Sequence, residues 1–494
     1  MDIIDHLLVE GFKAKNEFDP ERALGFFLQA AELEKEDAYI RLEVARCHVE
    51  LMDAAQAAEA LARVESLADG DDEVFLELGR VWVSAGEMEQ AMRAFSRVKP
   101  GSAEYLQASL EAFMLLERAN RLDDASRLLE ERKISKNRPE FQLMSALLDE
   151  RQGEISRAER RLRRLWNGVP RSGLDLEVGY RLARLLDRKG RAPEALRILA
   201  SCKQQEATAM PVDTVRGFTK ARREQDLEAL ESGGANWFSD RCSPAESRSL
   251  LLLGHPRSGT SLMAKRLSDS LGVEWIDEKP AFEVTARELL GTAEPSGSLT
   301  DLLKKVGASR ALEFEKAYRS KLSAPAGPFI DKNPGLSCSL VSLHRLLPRA
   351  AWLMMLRDPR DVALSCYFQR FGSTSLGVAC LTLGGAFEAV AHTMRYWQEV
   401  KQHLASDQFI EVRYENLVGN IENQVAEVNA RLAWSGSDDG EKGEFLNLTP
   451  SYEAIEKPAY QDSVKRWEKA GVDWAKLSPE ANELAETLGY GPPS

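Results

Sequence analysis

Small and large apolar residues recur over the first two hundred positions at intervals of 33 to 37 residues. At each recurrence an alanine is followed, four positions later, by a large apolar residue. Positions four apart lie on one face of a helix, and a small residue there lets a second helix cross closely. The pattern predicts stacked helix pairs over residues ~15–205. The six pairs are Ala23 with Phe27, Ala57 with Leu61, Ala91 with Phe95, Ala125 with Leu129, Ala158 with Leu162, and Ala195 with Leu199.

The clearest unit reads EVFLELGRVWVSAGEMEQAMRAF, in which Phe75 and Trp82 share one helix and a glycine precedes the next helix. The position five residues before the repeat alanine suits a left-handed turn, which glycine and asparagine tolerate. This pattern resembles the tetratricopeptide repeat, which implies a concave surface that binds a protein partner or a polypeptide. A structural spacer is the alternative. The residues at the turn position are Gly86, Asn120, Gly153 and Gly190.

The repeat pattern ends near residue 205, and a different pattern begins near residue 248. The intervening segment has one helix-like stretch and then a run rich in Gly, Ser and Pro, which is typical of a domain boundary. Beyond it, short apolar runs such as Leu250–Leu253 and Trp352–Leu356 precede helical patterns, as in an α/β domain with buried parallel strands. We therefore predict helical repeats at 1–205, a helical cap and linker at 206–247, and an α/β domain at 248–494.

The segment GHPRSGTS joins the first of these runs to a helical pattern. A strand, a glycine loop and a helix N-terminus form an anion site, because free N–H groups and the helix dipole converge there. Gly254 and Gly259 have the spacing of the nucleoside-triphosphatase loop, but Thr260 stands where that loop carries its lysine. Arg257 can instead donate paired hydrogen bonds to an oxyanion. A kinase or triphosphatase is therefore a disfavoured alternative.

A second strand-to-helix junction, RDPRDVALSCY, lies about one hundred residues later. Asp358 is suited to cap the helix, with Pro359 at its first position. Arg357 then lies at the end of the strand and Ser365 about two turns into the helix, where both can face one phosphate. Two such sites on neighbouring strand ends suit a nucleotide with phosphates at both ends of its ribose.

Together the two segments resemble the 5′-phosphosulfate loop and the 3′-phosphate motif of sulfotransferases, over residues ~248–470. The resemblance implies a three-layer, P-loop-like α/β domain with a parallel sheet. It also implies PAPS (3′-phosphoadenosine 5′-phosphosulfate) as donor, PAP as product and no required metal. The tyrosylprotein sulfotransferases and their bacterial relatives are the most similar branch. By this resemblance the donor is held by Arg257, Ser258, Gly259, Thr260, Ser261, Arg357, Ser365, Tyr414, Ser451 and Lys457.

The resemblance also implies the catalytic residues. Sulfuryl transfer places charge on a bridging oxygen and needs a base for the acceptor hydroxyl. Lys332 in FIDKNPG and Arg257 match the family's cations, and Glu278 in EWIDEKPAF matches the base of the tyrosylprotein branch, although Asp277 stands where that branch has glycine. His255 and His344 are rival bases that we expect to be structural.

The overall composition narrows the remaining possibilities. A net charge of −13 argues against a nucleic-acid binder or a protein of anionic membranes. No apolar stretch approaches the ~18 residues of a membrane span, no signal peptide is recognisable, and six scattered cysteines are typical of the cytoplasm. We therefore expect a cytoplasmic bacterial fusion of helical repeats with a sulfotransferase that acts on a peptide or small-molecule hydroxyl. A non-catalytic PAP- or PAPS-binding scaffold is the alternative.

Overall fold

The structure is a computed structural model, and it describes residues 3–17, 19–233, 243–291, 299–434 and 463–492. The chain divides into two compact units, Met1–Arg161 and Leu162–Ser494. Within the described residues, no helix combines the length and the apolar character that a membrane crossing requires.

The first unit is built from α-helices, most of which pack in consecutive pairs. The repeat alanines and their large apolar partners are all buried, as the spacing predicts. The left-handed turns predicted at the four turn positions are confirmed, with φ between 57° and 83°. The helices are α1 Ile3–Asn16, α2 Pro20–Leu33, α3 Ala38–Glu50, α4 Ala54–Leu67, α5 Asp72–Ser84, α6 Met88–Arg97, α7 Tyr105–Arg118, α8 Leu122–Glu131, α9 Pro139–Arg151 and α10 Ile155–Leu165.

Close crossing of α5 and α6 depends on Gly79. A Cβ atom placed on Gly79 would lie 2.4 Å from the Phe95 ring, so the large ring of one helix occupies the space that a side chain on the other would fill. Gly11 and Phe27 repeat this arrangement between α1 and α2, at 2.6 Å. The glycine and the aromatic residue together set the distance between the helices of a pair.

The second unit begins with three helices and continues into a sheet of five described strands, all parallel, in the order β2-β3-β1-β4-β5. The predicted apolar runs form its central strands. The strands are β1 Ser249–Gly254, β2 Glu274–Asp277, β3 Phe329–Lys332, β4 Ala351–Leu356 and β5 Ile410–Arg413. The helices are α11 Gly173–Arg188, α12 Ala192–Ala207, α13 Val212–Gly233, α14 Thr260–Leu271, α15 Ala281–Leu290, α16 Leu299–Lys304, α17 Ala308–Leu322, α18 Leu340–Leu346, α19 Pro359–Tyr367, α20 Ser375–Ala379, α21 Leu383–Lys401, α22 Tyr414–Gly419, α23 Ile421–Leu432, α24 Trp474–Leu477 and α25 Pro479–Thr487, with 3₁₀ helices at Pro244–Glu246, Pro334–Cys338 and Arg466–Lys469.

Helices cover both faces of this sheet. On one face, apolar side chains of the central strands pack with those of α14 and α23 in a single core cluster. On the other face, Tyr318 of α17 bonds to Asp331 of β3, and His344 of α18 packs edge-on against Trp352 of β4. Every residue of β1, β3 and β4 is buried, because parallel strands inside three layers face no solvent.

The strand order places β1 between β3 and β4. The chain moves to one side of β1 for β2 and β3 and to the other side for β4 and β5, so β1 lies at the switch point of the sheet. Ligands of open α/β sheets bind beyond the carboxyl ends of the strands at such a point. The ends of β1, β3 and β4 carry the two predicted anion-binding segments and the predicted catalytic lysine.

The crossing of α5 and α6 gives a test of the packing. Gly79→Ala forces a methyl group against the Phe95 ring, and we expect it to destabilise the first unit by about 1–3 kcal/mol. Gly25→Ala in α2 is the matched control: no atom lies within 4 Å of the added methyl. That exposed helical position should instead gain about 0.5–1 kcal/mol. The measurement is the denaturation midpoint of the full chain, and equal shifts for the two variants would contradict the packing argument.

Candidate active site

The loop that follows β1 has an unusual backbone. Gly254, Arg257 and Gly259 all have positive φ, at 138°, 75° and 101°. A non-glycine residue in this region is strained, and such strain concentrates at functional sites. Helix α14 begins at Thr260 directly after Gly259. The loop backbone therefore continues without a break into the N-terminus of the helix.

Both glycines of the loop are required by close contacts. A Cβ atom on Gly259 would lie 2.4 Å from the Tyr414 ring, and one on Gly254 would lie 2.7 Å from Ser258 Oγ and 2.8 Å from the Met355 carbonyl oxygen. The loop backbone therefore lies directly against the tyrosine ring at the start of α22. This contact places Tyr414 at the loop.

Hydrogen bonds join the loop to the second predicted anion segment. Arg257 Nε donates to Ser365 Oγ at 3.1 Å, and Arg357 Nη1 donates to the Arg257 carbonyl oxygen at 3.0 Å. The Arg357 guanidinium also lies 4.3 Å from the centre of the Tyr414 ring and donates to the Ser463 carbonyl oxygen at 2.7 Å. Five residues from four separate segments of the chain thus form one cluster.

Two buried donors in this cluster have no partner among the described residues. Ser258 is fully buried with no bond to its Oγ, and Arg357 is 5% exposed with no bond to its Nε. A buried polar group without a partner is costly, so such groups are rare unless a ligand completes them. The pair fits an oxyanion such as a phosphate or sulfate oxygen. Thr260 and Ser261, in the first turn of α14, are buried beside the loop.

The predicted catalytic lysine and base lie together at the next strand end. Lys332 is fully buried, and its Nζ contacts a carboxylate oxygen of Asp277 and lies 2.5 Å from Glu278 Oε1. Glu278 has φ 49° and donates its backbone N–H to the Lys332 carbonyl oxygen, which holds it at this place. Asp277, where the tyrosylprotein branch has glycine, is thus a second partner of the lysine. Because β1 separates β3 from β4, Lys332 and Arg357 start from strand ends roughly 10 Å apart.

The rival histidines are both buried. Burial lowers the pKa of His255 to about 4, so this imidazole is neutral near pH 7, and its Nδ1 lies 3.0 Å from the Pro256 carbonyl oxygen. His344 is 1% exposed and packs against Trp352 on the sheet face that lies opposite Lys332.

A contact network that the sequence reasoning missed holds the C-terminal segment to this junction. Arg360 is fully buried, bonds to both carboxylate oxygens of Asp358 and lies 3.7 Å from the centre of the Trp467 ring. Asp361 accepts bonds from the backbone N–H groups of Lys465 and Trp467, and burial raises its pKa to about 6. Four charged residues among the five of RDPRD, at a junction predicted to be buried, could have signalled such a network. The predicted donor residues Ser451 and Lys457 lie outside the described residues.

Part of the second unit matches a known family model. Residues 249–438 match the model of the sulfotransferase family, which covers β1 to β5 and both anion segments. No curated protein matches the chain. Among the described residues, no group of three or more His, Cys, Asp or Glu could hold a metal ion.

Three solved structures match part of this chain. The sulfotransferase domain of the Synechococcus PCC 7002 olefin synthase shares 17% identity, covers 51% of this chain and 99% of its own, and has a TM-score of 0.36. The sulfotransferase domain from the curacin biosynthetic pathway shares 15%, covers 51% and 100%, and has a TM-score of 0.36. Sulfotransferase STF9 from Mycobacterium avium shares 16%, covers 64% and 97%, and has a TM-score of 0.31.

Asp331 lies beside Lys332 in the chain but faces the other side of the sheet, where it accepts a bond from Tyr318. Burial raises its pKa to about 7, against about 3.9 in an unfolded chain. The folded state thus binds the proton more tightly, so the stability that this group contributes is complete below pH ~4 and is lost as the pH rises through 7.

Asp331→Asn mimics the neutral acid and should remove this loss. We expect the variant to melt above the wild type at pH 8, with the difference vanishing only below about pH 4, in thermal unfolding of the full chain. Asp301→Asn, at an exposed position of α16, should leave the profile unchanged. A difference of the same size at both pH values would contradict the titration of Asp331.

Proposed function

We propose that this chain transfers the sulfuryl group of PAPS to an acceptor hydroxyl and releases PAP. One observation carries the proposal: the buried donors Ser258 Oγ and Arg357 Nε, which have no partner within the part of the chain that the structure describes, lie in one cluster with Arg257 and Ser365. These groups offer hydrogen bonds to anionic oxygens at both loops, which is what a nucleotide with 5′ and 3′ anionic groups requires. The family match supports a transferase of sulfuryl groups.

Each residue of the cluster then has a role. The backbone N–H groups of Gly259, Thr260 and Ser261 face the 5′-phosphosulfate from the helix N-terminus, with Arg257 beside them. Arg357 and Ser365 bind the 3′-phosphate. Ser451 and Lys457 belong to the same proposal on the family resemblance, and Tyr414 supports the loop through its ring contact with Gly259.

The pairing of Lys332 with Glu278 suggests how the reaction proceeds. Glu278 accepts the proton of the acceptor hydroxyl while that oxygen bonds to sulfur and the bond from sulfur to the 5′-phosphate oxygen breaks. Once protonated, Glu278 no longer offsets the lysine charge. Lys332, still paired with Asp277, then stabilises the charge that develops on the leaving oxygen. The proton transfer and the charge stabilisation are thereby linked through one ion pair.

The helical first unit belongs to the same proposal as a tetratricopeptide-like surface for a polypeptide acceptor or a partner protein. The buried alanine pairs and the left-handed turns support it. Acceptors of the tyrosine-peptide, natural-product or sugar class all carry the required hydroxyl. We place the reaction in the bacterial cytoplasm, in line with buried cysteines that form no disulfide among the described residues.

The first experiment is calorimetric titration of the full chain with PAP and with ATP·Mg²⁺, followed by transfer of radiolabelled sulfonate from PAPS to tyrosine peptides, phenols and sugars. We expect PAP binding and transfer to at least one class. PAP binding without transfer would favour the non-catalytic scaffold. ATP binding without PAP binding would favour the kinase or triphosphatase.

Glu278→Gln tests the base. We expect kcat to fall about 100-fold or more while the Kd for PAP changes less than about twofold, because the amide cannot accept the proton. Glu274→Gln is the matched control, since Glu274 is an exposed glutamate at the start of β2, the strand that Glu278 directly follows. An unchanged kcat for Glu278→Gln would remove Glu278 from the mechanism. Equal losses in the two variants would do the same.

A further inference from the structure

The short 3₁₀ helix Pro334–Cys338 follows β3 in the chain and contacts the loop after β1. Ser337 of this helix is fully buried. Its Oγ accepts a hydrogen bond from the Gly254 backbone N–H at 2.7 Å and donates one to the Gly254 carbonyl oxygen at 3.0 Å. A serine hydroxyl has only one donor, so this side chain commits its O–H and an acceptor position to a single residue of the loop.

The extent of β3 explains why Gly254 needs this partner. The pairing of β1 with β3 ends at Leu252 and Lys332, whereas the pairing of β1 with β4 continues to Gly254 and Met355. On the side where β3 has ended, the Ser337 hydroxyl takes up the backbone N–H and C=O of Gly254. Buried backbone groups are costly to leave unpaired, so this contact fixes the end of β1 relative to the 3₁₀ helix.

Gly254 is the first residue of the β1 loop (residues 254–259) and determines how the loop folds. A Cβ atom on Gly254 would lie 2.7 Å from Ser258 Oγ, so the loop turns back over this glycine. Ser258 carries one of the buried donors that have no partner among the described residues. By holding Gly254, Ser337 therefore also sets the place of the proposed 5′ site.

Asn333, the residue before the 3₁₀ helix, contacts the segment that carries the proposed base. It is 8% exposed, and its Nδ2 donates to the Lys279 carbonyl oxygen at 3.1 Å. Its Oδ1 accepts from the Gly335 backbone N–H at 3.1 Å, which caps the 3₁₀ helix. The Glu278 backbone N–H donates to the Lys332 carbonyl oxygen at 2.9 Å. Glu278 is thus held by hydrogen bonds on both sides, and both come from two consecutive residues at the end of β3.

Glu278 needs such support. Its φ of 49° lies in the left-handed region, which is strained for a residue with a side chain. Its side chain is 44% exposed, so packing alone does not fix the carboxylate. The bonds of Lys332 and Asn333 to the neighbouring backbone therefore carry much of the positional constraint on this carboxylate.

We propose that Ser337 and Asn333 are positioning residues that hold the β1 loop and the base segment (residues 277–279) in one fixed arrangement. The inference rests on the proposed function, because it takes the β1 loop to bind the 5′-phosphosulfate and Glu278 to accept the proton. Asn333 and Ser337 lie only four positions apart, so one short segment connects the two reacting sides. A misplacement of about 1 Å between reacting groups can lower a rate ~100-fold.

Ser337→Ala tests the loop side with two nucleotides, PAP and adenosine 3′-phosphate, which lacks the 5′-phosphate. The measured quantity is the ratio of the two Kd values, adenosine 3′-phosphate over PAP, from calorimetry on the full chain. We expect this ratio to fall at least tenfold, because the loosened loop weakens the contacts of the 5′-phosphate alone. Ser342→Ala is the matched control and should keep the wild-type ratio: Ser342 is a buried serine of α18 whose hydroxyl makes no hydrogen bond to either segment within the described residues.

Asn333→Ser tests the base side. Serine retains an acceptor for the Gly335 N–H, but its hydroxyl is too short to reach the Lys279 carbonyl oxygen. We expect kcat for sulfonate transfer from PAPS to fall at least tenfold, while the Kd for PAP changes less than twofold. The two variants thus affect opposite quantities, which a general loss of stability would not produce.

An unchanged Kd ratio in Ser337→Ala would overturn the inference, as would equal losses for the two nucleotides or an unchanged kcat in Asn333→Ser. If Ser337→Ala does not fold, Ser337→Cys is measured instead, because a thiol is a weaker donor and acceptor than a hydroxyl. A ratio at least threefold below the wild type then supports the inference, and an equal ratio overturns it. Failure of the wild type to bind PAP would refute the proposed function itself, which separates the two claims.

Discussion

The candidate site depends on the contacts that the Arg357 guanidinium makes. It lies at the end of β4 and is almost fully buried, yet it bonds to the backbone of the β1 loop and to the backbone of the C-terminal segment at Ser463. An arginine remains charged at any physiological pH, so its burial must be compensated by acceptors on several sides. The loop, the Tyr414 ring and Ser463 supply part of that compensation. Its Nε has no partner among the described residues, and the same residue holds three segments together.

The other charged residues of RDPRD are also buried, and their charges are also compensated by nearby groups. Asp358 and Arg360 neutralise each other in the core, and Asp361 binds the backbone at Lys465 and Trp467. Of the four charged residues, Arg357 also bonds to the β1 loop, and the other three form the contacts that hold the C-terminal segment at the end of β4. A buried pair of this kind adds specificity of position more than net stability, since most of its Coulomb energy offsets desolvation.

Much of this arrangement follows from local sequence patterns. The buried strands at Leu250–Leu253 and Trp352–Leu356, the left-handed turns and the loop glycines each require particular residue types at fixed spacing, and such requirements are visible in the chain. The patterns do not indicate which residues that are far apart in the chain contact each other. The repeat pattern assigns α11 to the helical array, because the spacing of apolar residues indicates how a helix packs on its neighbours. The spacing does not indicate which compact unit the helix belongs to. The contact of Asp187 with Arg466 joins residues almost three hundred positions apart and leaves no local signal.

Asp277 is the most informative departure from the family pattern. With glycine at that position, Lys332 would be paired with Glu278 alone, and a base that must lose its charge would be the only partner of a buried cation. With Asp277 present, a carboxylate would remain beside Lys332 once Glu278 accepted a proton, so in the proposed reaction the lysine keeps a charged partner throughout. A fully buried ammonium group without any counter-charge is strongly disfavoured. The aspartate thus removes a conflict between burying the lysine and using its neighbour as a base. In the proposed reaction this same pairing would draw part of the lysine charge away from the leaving oxygen, so more of the positive charge there would have to come from Arg257 on the adjacent loop.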